Sequence, residues 1–165
     1  MKKRTVKVYL SLGSNKGDRI NYLKSAVQEL KNNKEIKIIN SSLIYETEPW
    51  GYKEQAVFLN CVLEIETNIS HSDFFKYCIN IEKKLGRKKK LKWQEREIDI
   101  DILFYDDMVN KEKNLTLPHR EIENRRFVLV PLNEIAPDFI HPVLKKKISD
   151  LLLETKDESK VKKFI

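Results

Sequence analysis

Apolar positions change their spacing along the chain, and each change marks an element. Residues 6–12 alternate as a half-buried strand does, with Val6, Val8, Leu10 and Leu12 on one side. Ile20, Leu23, Ala26, Val27 and Leu30 recur at helical spacing, and Asp18 is placed to cap that helix. Residues 36–45 read as one strand and 58–67 as a longer one. In the latter Leu59, Cys61, Leu63 and Ile65 form an apolar face. Ser70 and Asp73 form a capping pair ahead of a second helical stripe, Phe74, Cys78, Ile81 and Leu85, which Gly86 stops. From Ile98 the chain alternates strictly again. Ile98, Ile100 and Ile102 lie on one side, and Asp99 and Asp101 on the other.

Beyond Tyr105 the signals weaken. Residues 109–111 predict a short returning strand, 121–129 a short helix, 131–139 a loop region broken by Pro131 and Pro137, and 145–153 a terminal helix. The charged tail, 155–163, is expected to fray. The order strand, helix, strand, strand, helix, strand predicts an α+β fold. It is a ferredoxin-like α/β sandwich, an antiparallel sheet with helices packed on one face, followed by a C-terminal extension. One domain is expected over 1–165, with its core in 6–153. The exposed sheet face would carry Asn60, Asp99 and Asp101.

Composition narrows the class. The 165 residues suit one core, and 41% hydrophobic with 35% charged residues is a globular rather than a disordered balance. No apolar run approaches a membrane span, and the basic start is followed by a strand pattern rather than an apolar signal segment. A cytoplasmic protein with no membrane partner is expected. Cys61 and Cys78 both fall on apolar faces and read as buried free thiols. The net charge of +7 is local: Lys83, Lys84, Arg87, Lys88, Lys89, Lys90 and Lys92 precede an acidic stretch.

That juxtaposition is the strongest chemical signal. Two carboxylates two residues apart on a strand stand about 6–7 Å from each other. Like charges at that spacing raise each other's pKa unless a cation neutralises them. Beside clustered Lys and Arg, ending at Arg96, the pair suits a metal ion and a polyphosphate. The turn at 13–18 has two glycines but neither the Walker nor the dinucleotide spacing, so it reads as a structural turn. Trp50, between Pro49 and Gly51, rides on a loop that can act as a lid. Taken singly, Phe58 and Phe127 read as core, His119 says nothing, and Glu82 reads as a partner for a lysine.

With these residues in view, the chain resembles the 6-hydroxymethyl-7,8-dihydropterin pyrophosphokinase family over residues 6–153. The diagnostic segment is 92–103, where Arg96, Asp99 and Asp101 match and Gln94-Glu95 replaces the usual Gly-Pro. The stretches 12–15, 45–51, 58–60, 82–87, 117–119 and 124–127 resemble further family segments, with Arg120 where Tyr is common. The resemblance implies transfer of pyrophosphate from ATP to the pterin hydroxymethyl group in folate biosynthesis, with AMP released. It implies two Mg²⁺ ions held by Asp99 and Asp101, with Arg87 and Arg96 gripping phosphate oxygens. Lys89, Lys92, Ile102, His119 and Arg125 would contact the nucleotide. Thr47, Trp50, Phe58, Asn60 and Phe127 would contact the pterin, and Trp93 would help close the loop. Weak association with other folate-pathway enzymes is a further implication.

Two rivals remain. An RNA-binding module can share the ferredoxin-like plan and a basic loop, but it needs aromatics where this sheet face carries carboxylates, which repel a phosphate backbone. Nucleic acid is therefore not expected as a partner. A catalytically inactive family member is the other rival, and the intact Asp pair argues against it.

Overall fold

The computed structural model describes residues 3–88 and 94–165. The first part of the chain forms β1 (Val6–Ser14), α1 (Arg19–Lys31), β2 (Ile36–Ser41), β3 (Tyr45–Thr47), β4 (Phe58–Thr67), α2 (His71–Lys84) and β5 (Asp99–Tyr105). A small hairpin of β6 (Asn110–Lys111) and β7 (Thr116–Leu117) follows. A 3-10 turn (Ile122–Asn124), α3 (Arg126–Ile135), α4 (Ile148–Glu154) and β8 (Val161–Lys163) complete the chain.

The main sheet runs β5-β1-β4-β3-β8, with β2 also on β4, and every pairing is antiparallel. Helices α1 and α2 cover one face, and Leu10, Leu12, Leu63, Ile65, Ile100 and Ile102 meet Leu23, Leu30, Phe74 and Cys78 there. This is the expected ferredoxin-like sandwich. Both helix starts carry the caps read from the sequence. Asp18 accepts the Asn21 N–H at 3.1 Å and Ser70 the Asp73 N–H at 3.3 Å. Cys61 and Cys78 are free and buried.

The opposite sheet face is not simply exposed. Tyr9, Val62, Leu103 and Phe104 form a second core with Val128, Leu129 and Leu132 of α3 and Ile148 and Leu151 of α4. The C-terminal extension therefore adds a third layer over half of that face. A register shift on β5 makes this possible. Leu10 pairs with Ile102 and Tyr9 with Phe104, so Leu103 is the extra residue of a bulge. Past the bulge, Leu103 and Phe104 both join the second core, and the strict alternation ends.

Other expectations at the C-terminal side and the second strand are corrected. Pro131 lies inside α3 rather than in a loop. It forgoes only one main-chain bond, to the Phe127 carbonyl, and the burial of Val128, Leu129 and Leu132 offsets that loss. The helix expected at 121–129 is a 3-10 turn and then α3, shifted toward the C-terminus. The 36–45 strand is two strands, β2 and β3, divided at residues 42–44. The tail does not fray, because β8 pairs with β3 through Tyr45–Lys163, Glu46–Lys162 and Thr47–Val161. Among the described residues, no helix is long and apolar enough to cross a membrane.

Candidate active site

Helices α3 and α4 stop short of one end of the sheet face. There the side chains of β1, β4 and β5 are small or polar. Gly13 pairs with Asp99 and with Asn60, and Ser11 pairs with Asp101. The alternation that buries Ile100 and Ile102 beneath α2 necessarily turns Asp99 and Asp101 into this uncovered end. A cavity of about 480 Å³ opens over it, lined by Ser11, Gly13, Thr47, Glu48, Trp50, Gln55, Phe58, Asn60, Arg96, Asp99, Asp101, Arg120, Glu121, Arg125 and Phe127. A second cavity of about 270 Å³ is lined by Ile102, His119, Leu115, Thr116 and their neighbours, and it shares Asp101, Arg120 and Arg125 with the first. The carboxylate end of β5 thus stands where two cavities meet.

Asp99 is 8% exposed and is held by two arginines. Arg96 Nη1 donates to Oδ2 at 2.6 Å, and Arg87 Nη1 lies 2.9 Å from Oδ1. Burial and the Asp101 charge push the Asp99 carboxyl upward, and the two guanidinium groups only partly counter them. Arg87 also reaches Glu82 Oε2 at 2.7 Å, while Glu82 Oε1 accepts the Ile100 N–H at 2.7 Å. Glu82 therefore pairs with Arg87 and with β5, not with a lysine. Burial raises its carboxyl to about 7, against the pull of the Ile100 N–H and Arg87. For Arg87 burial acts downward, but Asp99 and Glu82 outweigh it and raise the guanidinium pKa.

The large cavity has an aromatic and an amide wall. Asn60 Nδ2 donates to Thr47 Oγ1 at 2.6 Å, which leaves its second hydrogen and Oδ1 for a ligand. Gly13 makes room for that amide, since a Cβ there would collide with Asn60 Oδ1. Trp50 Nε1 donates to the Asn124 carbonyl at 3.0 Å, and the Arg125 guanidinium lies 4.6 Å from the Trp50 ring centroid. The loop bearing Trp50 is thereby folded down against the start of α3. Burial lowers the Arg125 pKa, and its buried Nε has no hydrogen-bond partner among the described residues.

At the second cavity, His119 Nδ1 lies 2.8 Å from the Arg120 carbonyl. A carbonyl only accepts, so Nδ1 is the donor in that contact, and Nε2 is left for the cavity. A buried Asn15 joins the loops on either side. Its Oδ1 accepts the Arg96 N–H at 2.8 Å, and its Nδ2 donates to the Ala56 carbonyl at 3.0 Å and to Gln55 Oε1 at 3.2 Å.

The arrangement offers an aromatic and amide-lined cavity beside a more basic one, with the Asp101 carboxylate at their junction. The family model for 7,8-dihydro-6-hydroxymethylpterin-pyrophosphokinase matches residues 9–137. The chain belongs to that family. A 2-amino-4-hydroxy-6-hydroxymethyldihydropteridine pyrophosphokinase of Aquifex aeolicus is 43% identical over 157 residues, 95% of this chain and 94% of that protein. The folic acid synthesis protein fol1 of Schizosaccharomyces pombe is 40% identical over 144 residues, 87% of this chain but 20% of that protein. A solved HPPK-DHPS of Plasmodium falciparum shares the fold, with a TM-score of 0.73 at 19% identity. It covers 93% of this chain, which spans about half of it, 46%.

Within this pyrophosphokinase family frame, Arg96, Asp99, Asp101, Thr47, Trp50, Phe58, Asn60 and Phe127 meet at the large cavity. Ile102 and His119 line the second, and Arg125 lines both. Arg87 reaches the site through Asp99. Lys89, Lys92 and Trp93 lie outside the described residues. Ser11, Glu48, Gln55 and Glu121 line the cavity without having been singled out, and Gly13, expected in a turn, lies on β1 and lines it too. For Ser11 and Gly13 a signal existed, since both occupy the β1 face opposite Leu10 and Leu12.

Proposed function

We propose that the large cavity takes the pterin, the second takes ATP, and Asp99 with Asp101 holds Mg²⁺ between them. Family membership makes the reaction pyrophosphoryl transfer to hydroxymethyldihydropterin in folate biosynthesis, with ATP as co-substrate. The observation that carries the finer reading is Asp101, which lines both cavities.

The residues present fit Mg²⁺. Among the described residues no group of three His, Cys, Asp or Glu forms a protein cage. A carboxylate pair is the set Mg²⁺ usually takes, with phosphate oxygens and water completing its shell. Asp99 and Asp101 would hold the two Mg²⁺ ions, whose positive charge would serve to neutralise the polyphosphate and acidify the pterin hydroxyl.

The chain's own groups align the partners. Phe58 and Phe127 offer faces to the pterin ring, and Asn60 offers one donor and one acceptor to its edge. Main-chain groups near Thr47 and Trp50 complete that edge. Arg87 and Arg96 present guanidinium forks to phosphate oxygens, Lys89 and Lys92 add positive field, and Arg125 and His119 contact the nucleotide beside Ile102. Trp50 shields the site against water, a rival acceptor. The hydroxymethyl oxygen bonds to the β-phosphorus as the bond to the α–β bridging oxygen breaks; AMP departs with that oxygen, and the hydroxyl proton is released to solvent. Alignment and charge neutralisation carry most of the acceleration. We place the reaction in the cytoplasm on the polar composition. Weak association with other folate-pathway enzymes is supported by the longer HPPK-DHPS chains that share the fold.

The test is AMP release from Mg²⁺-ATP with and without 6-hydroxymethyl-7,8-dihydropterin. AMP formed only with the pterin, lost with EDTA and restored by Mg²⁺, is the expected result. ADP as product overturns the assigned chemistry, and no nucleotide product from folded protein supports an inactive member.

A further inference from the structure

The walls of the large cavity come from two separate parts of the chain. One is β3 with the residues after it, which supply Thr47, Glu48 and Trp50. The other is the start of α3, which supplies Arg125 and Phe127. The stretch 157–165, beyond the residues 9–137 that the family model matches, bonds to both.

On the first wall, β8 pairs with β3, the Glu48 N–H donates to the Lys160 carbonyl at 3.2 Å, and the Lys160 N–H donates to Glu48 Oε2 at 3.1 Å. Further along, the Ile44 N–H donates to the Ile165 carbonyl at 2.8 Å and the Phe164 N–H to the Ile44 carbonyl at 2.7 Å. On the second wall, Asp157 Oδ2 accepts the Arg126 N–H at 2.8 Å. That N–H is one of the unpaired donors at the start of α3, where the helix dipole favours an anion. The other Asp157 oxygen accepts the Ser159 N–H at 3.0 Å and the Ser159 hydroxyl, so the carboxylate is fixed to the segment leading into β8 as well.

We propose that 157–165 is a strap that sets the spacing of the two cavity walls, with Asp157 as its positioning residue for the pterin. Among the described residues the strap bonds to residues around Thr47 and Phe127 and to none that line the second cavity alone, so its effect falls mainly on the pterin. The inference rests on the assignment of the large cavity to the pterin.

The experiment compares wild type, Asp157→Ala, Asp157→Asn and Lys160→Pro by steady-state kinetics for both substrates. It adds equilibrium binding of 6-hydroxymethyl-7,8-dihydropterin in the presence of Mg²⁺ and a non-hydrolysable ATP analogue. Asp157→Ala is expected to raise the pterin KM roughly tenfold, the size of losing one helix-capping bond, while the ATP KM and kcat stay within about twofold. Asp157→Asn, which keeps an acceptor for the Arg126 N–H, restores most of the loss. Lys160→Pro removes the N–H given to Glu48 and reproduces the selective effect from the other wall, so a poorly folded Asp157→Ala leaves a second test. Unchanged pterin KM in the folded variants, or parallel losses for both substrates and kcat, overturns the proposal. Phe58→Ala separates this failure from a wrong cavity assignment. If Phe58→Ala weakens pterin binding and the strap variants do not, only the strap fails. If Phe58→Ala leaves pterin binding intact, the cavity assignment fails.

Discussion

Glu82 accepts the main-chain N–H of Ile100 at 2.7 Å, between the two aspartates of the site. The last turn of α2 therefore holds the strand that carries the carboxylates, and the same side chain holds Arg87 at 2.7 Å. A group that so strongly orders the site is nonetheless buried, and burial moves its carboxyl from 4.5 to about 7.

The first prediction follows from that shift. Between pH 4.5 and 7 the folded chain binds more protons at Glu82 than the unfolded chain does, so stability falls as pH rises through that window and levels off above it. The shift corresponds to roughly 3 kcal/mol. Asp99, also raised by burial and by Asp101, adds in the same direction. Thermal melting of the metal-free protein should give a lower Tm at pH 7.5 than at pH 5, and Glu82→Gln should flatten much of that slope. A wild-type Tm that rises across the window would mean that Arg87 and Ile100 outweigh burial.

The second prediction concerns the carboxylate pair. Asp99→Asn and Asp101→Asn keep shape and remove charge. Each should lower turnover by about three orders of magnitude or more, because metal and phosphate positioning fail together. Folding should survive, as the apolar faces of β5 are untouched. Single-turnover AMP formation is the measurement, and wild-type-like turnover in either variant would sink the metal-pair assignment.

The part of the site legible in the sequence is the part carried by charge and period. Asp99, Asp101 and Arg96 were readable because strict alternation on β5 leaves only one face for the carboxylates, and the six-element order set the sheet that presents them. Ser11 carries no charge signal, and Gly13 reads as part of a turn rather than of β1, although they pair directly with Asp101 and Asp99. The β8 pairing was illegible for a different reason. Its bonds are main-chain bonds, its side chains are one valine and two lysines, and lysine on an edge strand reads as solvated charge. Pro131 misled because a residue rule for helix interiors was overruled by the burial of its neighbours.

Gly13 supplies the third prediction. It needs no unusual backbone angle; it needs space, because a Cβ would meet Asn60 Oδ1. Gly13→Ala should displace the Asn60 amide from Thr47 and cost about 1–3 kcal/mol of stability, the usual cost of overpacking. Pterin affinity should fall and ATP affinity should not. Titration of each substrate by calorimetry tests the split, and equal losses in both would assign Gly13 to general packing.

Asn15 supplies the fourth. It lies at neither cavity but joins the two segments that wall one of them, bonding the Arg96 N–H through Oδ1 and the Ala56 carbonyl through Nδ2. Its own N–H donates to the Arg96 carbonyl at 3.1 Å, so the main chain of Arg96 is held on both sides by one residue. Arg96 in turn holds Asp99. Asn15→Ala leaves the half-buried Arg96 N–H and the exposed Ala56 carbonyl without the amide, at about 1 kcal/mol for each bond lost. The catalytic consequence is transmitted through the Arg96 backbone, which loses its anchor while its guanidinium stays intact. Turnover should therefore drop by about tenfold to a hundredfold with little change in pterin KM, whereas Arg96→Ala should lose more turnover without the same fall in Tm. If Asn15→Ala lowered Tm and left turnover unchanged, the Arg96 main chain would not need that anchor for catalysis.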